Sequence, residues 1–175
     1  MSGILQILLG QVLQGAAPIG VFAGGFNAGG AQNVIDFVTI STAGNAADFG
    51  DLLSGTRALA GSGSSTRGIF GGGDAGSTTN VIQYITIATA GNATDFGDLT
   101  VARTGVGSCS SETRSLFAGG INVSSTYVNV IDYITIATTG NATDFGDLTV
   151  TRAKLSGLSS PTRGVFSGGE ISDGT

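Results

Sequence analysis

A stretch of nineteen residues occurs twice in this chain with two differences between the copies. Residues 85–103 read ITIATAGNATDFGDLTVAR, residues 134–152 read ITIATTGNATDFGDLTVTR, and a looser copy spans 38–57. Four apolar segments that end in a glycine doublet follow the same period, because their phenylalanines are 48, 47 and 49 residues apart: Phe22, Phe70, Phe117 and Phe166. Near-identical tandem units predict copies of one small structure that stack on one another.

Each unit contains four segments that have the composition of β-strands. The first ends in the glycine doublet, and the second is NVIDFVTI or a close copy that begins at Asn33, Asn80 or Asn129. The third lies around GDLTVAR, and the fourth precedes SSTR or its variants SSETR and SSPTR. Branched and aromatic residues favour strands, and Gly, Ser, Asn and Asp favour the turns between them. Four antiparallel strands in a unit of this length have the size of one propeller blade.

The units resemble kelch repeats in three features. These are the glycine doublet, an aromatic residue on the following strand (Phe37, Tyr84 and Tyr133), and a later Leu-x-x-x-Arg pattern (Leu53–Arg57, Leu99–Arg103 and Leu148–Arg152). The kelch motif also has a tryptophan, which this chain lacks, and we expect Phe49, Phe96 and Phe145 in its place. The resemblance implies an all-β fold of kelch-like, four-stranded antiparallel blades of about 48 residues.

The resemblance covers residues 19–175 as one repeat domain. The expected units lie near 19–66, 67–113 and 114–162, with a partial unit at 163–175. Typical propellers have about 4–8 blades, so three units and one further strand fall short of a closed ring. A longer parent chain is the favoured explanation. The alternatives are copies of the chain that complete one another, and a final strand that closes the ring within one chain.

Residues that recur once per unit are expected to be structural. Side chains of the Phe22 and Tyr84 type are predicted to fill the interfaces between units, and the glycine doublets to allow close approach of backbones. Four sets of charged residues recur: Arg57, Arg103 and Arg152; Arg67, Arg114 and Arg163; Asp48, Asp95 and Asp144; Asp51, Asp98 and Asp147. We interpret them as ion pairs or as groups that bind turns.

The first eighteen residues have no copy elsewhere in the chain. Their apolar residues recur at spacings of one, three and four, which predicts one face of a short helix: Ile4, Leu5, Leu8, Leu9, Val12 and Leu13. The apolar run is too short and too interrupted to span a membrane. Residues 1–18 are therefore predicted to be a docking or oligomerising helix. A helix packed on its own domain and an atypical signal sequence are the alternatives.

The composition argues against several classes of function. The net charge is −5 and the single lysine is Lys154, whereas nucleic-acid binding needs clustered basic residues. The chain has no histidine, so it lacks the usual general base and the ligands of the copper centre in kelch-type oxidases. Every candidate carboxylate pair recurs in each unit, whereas an active site is normally built once. The lone Cys109 has no activating neighbour in the sequence. We do not expect an enzyme.

No cofactor is predicted. The string GGGDAG at Gly71 matches a dinucleotide-binding pattern but precedes a strand instead of the helix that such a site needs. The repeated string DFGD, at Asp95–Asp98 and Asp144–Asp147, is interpreted as a turn. Its two carboxylates and glycine leave calcium as an alternative.

The leading hypothesis for function is a structural and adhesive protein. An acidic β-repeat domain behind an apolar leader is similar in general style to fibre or appendage proteins of bacteriophage virions. This resemblance implies a virion or extracellular location, an N-terminal segment docked on virion proteins or sister chains, and a repeat domain that meets the host surface. The loops Phe26–Gln32, Asp74–Thr79 and Ile121–Val128 would face outward, with these candidate binding residues: Phe26, Asn27, Asp74, Asn122 and Tyr127.

Two alternative functions remain open. One is a carbohydrate-binding propeller, in which Tyr127 or Phe26 would stack against a sugar. The other is an intracellular kelch-type module that binds proteins. A homo-oligomer is expected under the leading hypothesis.

Overall fold

The structure is a computed structural model that describes residues 19–172. The predicted N-terminal helix and its six apolar residues lie outside the described residues. Within 19–172 every regular element is a β-strand, and all strand pairings are antiparallel. The prediction of an all-β chain built of small antiparallel sheets is confirmed.

Four sheets follow one another along the chain, and within each sheet the strands lie side by side in chain order. The first sheet is β1 (Ile19–Ala23), β4 (Val34–Thr39) and β5 (Ala47–Asp51). The second sheet is β6 (Ala60–Gly63), β7 (Arg67–Gly71), β8 (Val81–Thr86) and β9 (Thr94–Asp98). The third sheet is β11 (Gly107–Ser110), β12 (Arg114–Ala118), β14 (Val130–Thr135) and β15 (Thr143–Asp147). The fourth sheet is β16 (Ser156–Ser159) and β17 (Gly164–Ser167).

Two short ladders complete the strands. One joins β2 (Phe26–Asn27) to β3 (Gly30–Ala31), and the other joins β10 (Arg103–Thr104) to β13 (Ile121–Asn122). The first is a hairpin within the connection from β1 to β4. The second ties the end of the Leu-x-x-x-Arg segment to the next sheet along the chain.

The strand that precedes SSTR opens each four-stranded sheet. β6 pairs with β7, and β11 pairs with β12, so the sheets run over 60–98 and 107–147. The SSTR segment forms the tight turn between the two strands, because the Ser64 hydroxyl accepts hydrogen bonds from the backbone N–H groups of Thr66 and Arg67. Sheets therefore begin one strand earlier than the sequence units, which start at the glycine-doublet strand.

The third strand lies earlier in the unit than the sequence predicts. β9 covers Thr94–Asp98, and LTVAR follows it, so the assignment of the strand to GDLTVAR is wrong. The interpretation of DFGD as a turn is wrong for the same reason. DFGD pairs with β8 across an irregularity in register at Ile82/Gln83, where Gly97 adopts a φ of 143°. Asp and Gly suggest a turn, but a bulged strand also uses a glycine with positive φ.

Two apolar clusters fill the spaces between successive sheets. The cluster between the first and second sheets contains Ile35, Phe49, Leu52, Phe70, Ile85 and Ala93. The cluster between the second and third sheets contains Ala60, Ile69, Ile82, Phe96, Leu99, Val106, Phe117, Ile134 and Ile136. The predicted role of Phe70 and Phe117 in the interfaces is confirmed. Each sheet buries its apolar side chains against its neighbours, as in other repeat proteins.

The aromatic residues form the same edge-to-face pair in three sheets. The ring centroids of Phe37 and Phe49 are 5.8 Å apart, those of Tyr84 and Phe96 are 5.9 Å apart, and those of Tyr133 and Phe145 are 6.0 Å apart. Edge-to-face contacts at such distances add to the stabilisation from burial. The guanidinium groups of Arg67 and Arg114 lie over the faces of Tyr84 and Tyr133, and within residues 19–172 neither arginine forms an ion pair with an aspartate.

The glycine doublets allow backbones to approach, as predicted. Gly72 has a φ of 67°, and a Cβ added to it would lie 2.6 Å from the carbonyl oxygen of Arg103. Gly73 donates its N–H to that same oxygen at 2.8 Å. A larger residue in place of Gly72 would both strain the backbone and push the Arg103 segment away.

Two residues equivalent to buried aromatic residues are exposed. The repeat predicts Phe22 in an interface, but Phe22 is 63 % exposed, and that prediction is wrong. No sheet within residues 19–172 packs against that side of the first sheet. Phe145 is 54 % exposed, whereas its equivalent Phe96 is 2 % exposed, because the fourth sheet has only two strands among the described residues.

Candidate functional site

Three loops occupy equivalent places in three successive sheets. Loop 1 (Phe26–Gln32) connects β1 to β4, loop 2 (Asp74–Thr79) connects β7 to β8, and loop 3 (Ile121–Val128) connects β12 to β14. Each follows the glycine doublet of its sheet, so the three lie at corresponding edges. Phe26 is 64 % exposed and Val123 is 70 % exposed. Side chains at both ends of this row are therefore open to a partner.

Loop 1 is held in shape by Asn27. The side-chain oxygen of Asn27 accepts hydrogen bonds from the backbone N–H of Gly29 at 2.7 Å and from Nε2 of Gln32 at 3.0 Å. Gln32 also donates to the carbonyl oxygen of Gly30 at 2.8 Å. The sequence predicts Asn27 as a binding residue, and the structure gives its oxygen a role inside the loop.

Arg57 connects loop 1 to loop 2. Its Nη2 and Nε lie 2.7 and 3.0 Å from the same carboxylate oxygen of Asp74, and its guanidinium carbon lies 4.8 Å from the centre of the Phe26 ring. The hydrogen bond from Arg57 is the main cause that holds the pKa of Asp74 below its ordinary value. Backbone hydrogen bonds join Arg57 and Asp74 in both directions, at 3.0 and 2.8 Å. Phe26, Arg57 and Asp74 therefore form one continuous patch, which we call the Arg57 patch.

The sequence does not single out Arg57 as a binding residue. Arg57 recurs with Arg103 and Arg152, so the repeat predicts three equivalent structural arginines. The signal that could have distinguished it is local. Loop 2 begins with an aspartate, whereas loop 3 begins with Ile121 at the same place after the doublet.

Loop 3 is tied to the segments that flank the fourth sheet. The side-chain oxygen of Asn122 accepts hydrogen bonds from the backbone N–H groups of Ser124 and Thr126 at 2.9 and 3.0 Å. The Tyr127 hydroxyl donates to Glu170 at 2.9 Å, and Lys154 lies 2.8 Å from the same carboxylate. Lys154, and then Tyr127, hold the pKa of Glu170 below its ordinary value. Tyr127 is half-buried, so the structure does not present it as an open sugar platform.

A cleft of about 450 Å³ lies between the third and fourth sheets. Its apolar lining comes from Leu116, Ile131, Phe145 and Phe166, and hydroxyl groups of the two SSTR-type turns line its rim. The corresponding side of the second sheet is covered by β14 of the third. The cleft is thus an interface that lacks half of its covering strands among the described residues, and the sequence did not predict it.

The remaining candidate groups serve the backbone or are buried. Within residues 19–172 no group of three His, Cys, Asp or Glu residues is placed to hold a metal ion. Asp48 and Asp144 each accept the N–H of the glycine two residues later, at 3.1 and 3.0 Å. Cys109 is buried, and burial raises the pKa of its thiol, which keeps it protonated.

In comparisons with known proteins, no family model and no curated sequence matches this chain. Among residues 19–172 no helix is long and apolar enough to cross a membrane. The described residues thus present a row of three loops that are held by internal hydrogen bonds, and two sheet faces that no other described sheet covers.

Proposed function

We propose that this protein is a non-enzymatic structural and adhesive repeat protein whose three loops form an attachment surface. The observation that carries the proposal is the Arg57 patch, which joins loop 1 to loop 2 and leaves the Phe26 ring exposed. Loops already held by internal hydrogen bonds lose little conformational freedom when they bind, and this favours affinity.

The proposed architecture is a kelch-like propeller. Four features support it: antiparallel four-stranded sheets, a glycine doublet at the end of the second strand, an edge-to-face aromatic pair in each of three sheets, and apolar clusters between those three sheets. In such an arrangement equivalent loops lie on one side of the molecule. Loops 1, 2 and 3 would then present a single surface.

The proposed setting is a phage virion fibre or appendage. The sequence resemblance supports this setting, with residues 1–18 as the anchor on another virion protein. The β-repeat domain would project from the particle and meet the host surface. The setting is tested by measuring how much of this protein purified virions contain. A chain that lacks residues 1–17 should be absent from them. Normal incorporation of that shortened chain would refute the anchor.

The attachment surface is tested with labelled protein and a panel of bacterial cells. The double variant Phe26→Ala with Val123→Ser removes the exposed side chains at both ends of the loop row. We expect the wild-type chain to bind at least one cell type and the double variant to lose at least about tenfold in affinity, in line with the loss of aromatic anchors at interfaces. Leu158→Ser is the matched control, because Leu158 is equally exposed and lies outside the loops. Equal binding by the loop variant, or no binding to any cell, would contradict the proposal.

A carbohydrate-binding surface is the second candidate, and the Arg57 patch favours it. An exposed aromatic ring beside a guanidinium group and a carboxylate can stack on a sugar face and donate to or accept from its hydroxyl groups. A glycan array separates the two candidates. A specific glycan signal that disappears in Phe26→Ala would assign the surface to sugars, and cell binding without any glycan signal would assign it to a protein receptor.

A further inference from the structure

The two ends of the described array carry the two halves of one interface. In the junction between the second and third sheets, Phe96 of the second sheet is buried against Phe117 and Ile136 of the third. Phe145 of the third sheet, the equivalent of Phe96, is exposed. Ile40 of the first sheet, the equivalent of Ile136, is also exposed. Exposed apolar faces of this kind mark interaction sites.

We propose that these two faces bind each other between two copies of the chain. Strands β4 and β5 of one copy cover the cleft beside the third sheet of the other, and the reciprocal contact closes a ring of two copies. A second copy is the occupant because the chain itself shows, at its internal junction, what each face binds. The two ends of the described array match in three respects: their charges, their backbone hydrogen-bonding groups and the sequences of their strands.

The charges at the two ends are complementary. Arg103 crosses the internal junction and donates to four oxygens of the third sheet: Gly119 at 2.8 Å, Val130 at 2.7 Å, Phe117 at 3.5 Å, and the Asp132 carboxylate at 2.6 Å.

Arg152 repeats only half of that set. It donates to the carbonyl oxygens of Gly168 and Phe166 at 3.1 and 3.2 Å, and within residues 19–172 no carboxylate pairs with it. The two missing acceptors correspond to the carbonyl of Val34 and the carboxylate of Asp36. Asp36 makes no ion pair with any described residue. An arginine without a carboxylate and an aspartate without a cation thus stand at opposite ends.

The backbone groups at the two ends also match. At the internal junction the turn Gly140-Asn141-Ala142 lies along β9. Gly140 donates to the carbonyl of Phe96 at 2.7 Å, Ala142 donates to the carbonyl of Asp98 at 2.8 Å, and Asn141 accepts the Asp98 N–H at 3.1 Å.

The turn at Gly91-Asn92-Ala93 makes the same three bonds to β5. Among the described residues the equivalent turn 44–46 makes none of them, and the edge of β15 receives none. A Cβ added to Gly146 on that edge would meet open space.

The strand sequences explain how the second copy enters. β1 and β17 both contain Gly-Val-Phe and are both followed by a glycine doublet. Among residues 19–172 β17 pairs only with β16, and no described strand lies along its other edge. In the second and third sheets that edge receives the strand equivalent to β4, with Phe70 opposite Gln83 and Phe117 opposite Asp132. In the chain as described β1 occupies that edge of β4, with Phe22 opposite Asp36. In the proposed dimer β17 displaces β1 of the other copy, so that Phe166 takes the position of Phe22 opposite Asp36. Exchange of equivalent strands is a low-cost route to dimers.

The number of copies follows from the proposed propeller. Each junction completes one four-stranded sheet from β16 and β17 of one copy and β4 and β5 of the other. The described residues of each copy then account for three sheets, so those of two copies give six, within the range of about 4–8 blades. Three copies would give nine, which lies outside that range. The ring size therefore rests on the proposed architecture, whereas the junction rests on the contacts described above.

The mass of the full chain and its variants in solution tests the junction. We expect a dimer for the wild-type chain, and at least a tenfold weaker association for Asp36→Arg and for Phe145→Glu, each of which damages one face. Both side chains are at least partly exposed, so both variants should keep the wild-type circular dichroism spectrum. Asp95→Arg is the control, because it makes the same charge change on an exposed residue of the second sheet, and it should remain a dimer.

Mixing the two variants is the decisive step. Asp36→Arg retains an intact third-sheet face, and Phe145→Glu retains an intact first-sheet face, so an equimolar mixture should form a one-to-one dimer. A wild-type monomer at high concentration, or unchanged dimers of both variants, would overturn the junction. An oligomer of more than two wild-type copies would overturn the closed ring. A monomer that dimerises only without residues 1–17 would show that this segment covers the face instead.

A disulfide tests the strand exchange. Arg67 lies opposite Thr86 and Arg114 lies opposite Thr135, which places Arg163 of one copy opposite Thr39 of the other. In a Cys109→Ala background, a mixture of Arg163→Cys and Thr39→Cys chains should form a disulfide between chains, because paired strand residues lie within bridging distance. A dimer without this disulfide would overturn the exchange. Cell binding by the monomeric Asp36→Arg chain reports on the attachment surface separately, so the two proposals fail independently.

Discussion

The two internal junctions use the same arginine in opposite ways. Arg103 is fully buried between the second and third sheets and pairs with Asp132. Arg57 occupies the same place in its own Leu-x-x-x-Arg segment, yet its side chain is 47 % exposed and pairs with Asp74 on the loop surface. The residue that distinguishes the junctions is Gln83, which stands where the third sheet has Asp132.

This difference shows what a buried arginine requires. The side chains of Gln83 and Asp132 accept equivalent backbone hydrogen bonds. Gln83 accepts the N–H of Leu53 at 2.8 Å, and Asp132 accepts the N–H of Thr100 at 3.1 Å. Only the aspartate also supplies the negative charge that a buried guanidinium needs. Without that charge Arg57 turns to the surface carboxylate, and a core residue becomes part of the candidate binding patch.

The largest effect is expected from Asp132→Gln, which gives the second junction the residue of the first. Arg103 would be left as a buried charge without a partner, which costs about 3–5 kcal/mol in similar cases. Urea unfolding of the wild-type and variant chains measures the difference. The double variant Asp132→Leu with Arg103→Leu should recover most of the loss, since replacement of both partners by apolar residues is often neutral. A loss below about 1 kcal/mol in the single variant would contradict the assigned role of the pair.

A somewhat smaller effect is expected at the glycine doublets, because the doublet at Gly72 is packed against a neighbouring segment and the one at Gly168 is less crowded. Gly72→Ala places a Cβ against the Arg103 carbonyl, whereas Gly168 has the same positive φ, 65°, and no atom within 4 Å of an added Cβ. Both variants carry the same backbone strain, so Gly72→Ala should lose about 1–3 kcal/mol more than Gly168→Ala, the usual cost of overpacking. Thermal unfolding of the two variants gives the comparison. Equal losses would mean that strain alone, without close approach, explains the doublet.

The reverse substitution, Gln83→Asp, is expected to redirect Arg57. With a carboxylate available in the junction, the guanidinium would turn inward and leave Asp74. A double-mutant cycle between Arg57 and Asp74 should give a coupling of about 0.2–1 kcal/mol in the wild-type chain, typical of an exposed pair, and none in the Gln83→Asp background. Loss of cell binding in Gln83→Asp would further place the Arg57 patch in the attachment surface. An unchanged coupling would show that Gln83 does not control the arginine.

The smallest effect is the acid sensitivity of the surface pair. Arg57 holds the pKa of Asp74 below its ordinary value of 3.8, so in acid the unfolded chain binds more protons at this site than the folded chain. The pair therefore contributes stability above about pH 4, and that contribution is lost as the pH falls through the lower pKa of the folded state. Asp74→Asn should flatten this part of the dependence of unfolding free energy on pH. The same slope in both proteins would show that the pair contributes nothing.

The repeat made much of the fold predictable. The period, the all-β class and the burial of Phe70 and Phe117 followed from equivalent residues, because residues that recur once per unit must meet equivalent neighbours. The third strand was misplaced, since Gly97 and its aspartates suit a turn and a bulged strand equally well. The exposure of Phe22 was also missed, because the sequence repeats the residue but not its neighbours.

The candidate site was less predictable than the fold. Phe26 and Asp74 were identified from their loops, and the structure brings them together through Arg57. Asn27 and Asn122 were predicted to bind, but their side-chain oxygens hold their own loops. Whether an arginine lies in a junction or on a surface depends on one residue some thirty positions away, Gln83 or Asp132, and a pattern within one unit cannot show that dependence.

Because each sheet is covered by its neighbours, resistance to local opening should vary along the chain. Only the second sheet has apolar clusters on both sides that are complete within the described residues. Its amide protons should therefore exchange with solvent most slowly, and those of β1 and β17 most rapidly. The described array would open from its two ends inward, so that the strands of the proposed dimer junction are also the first to become available.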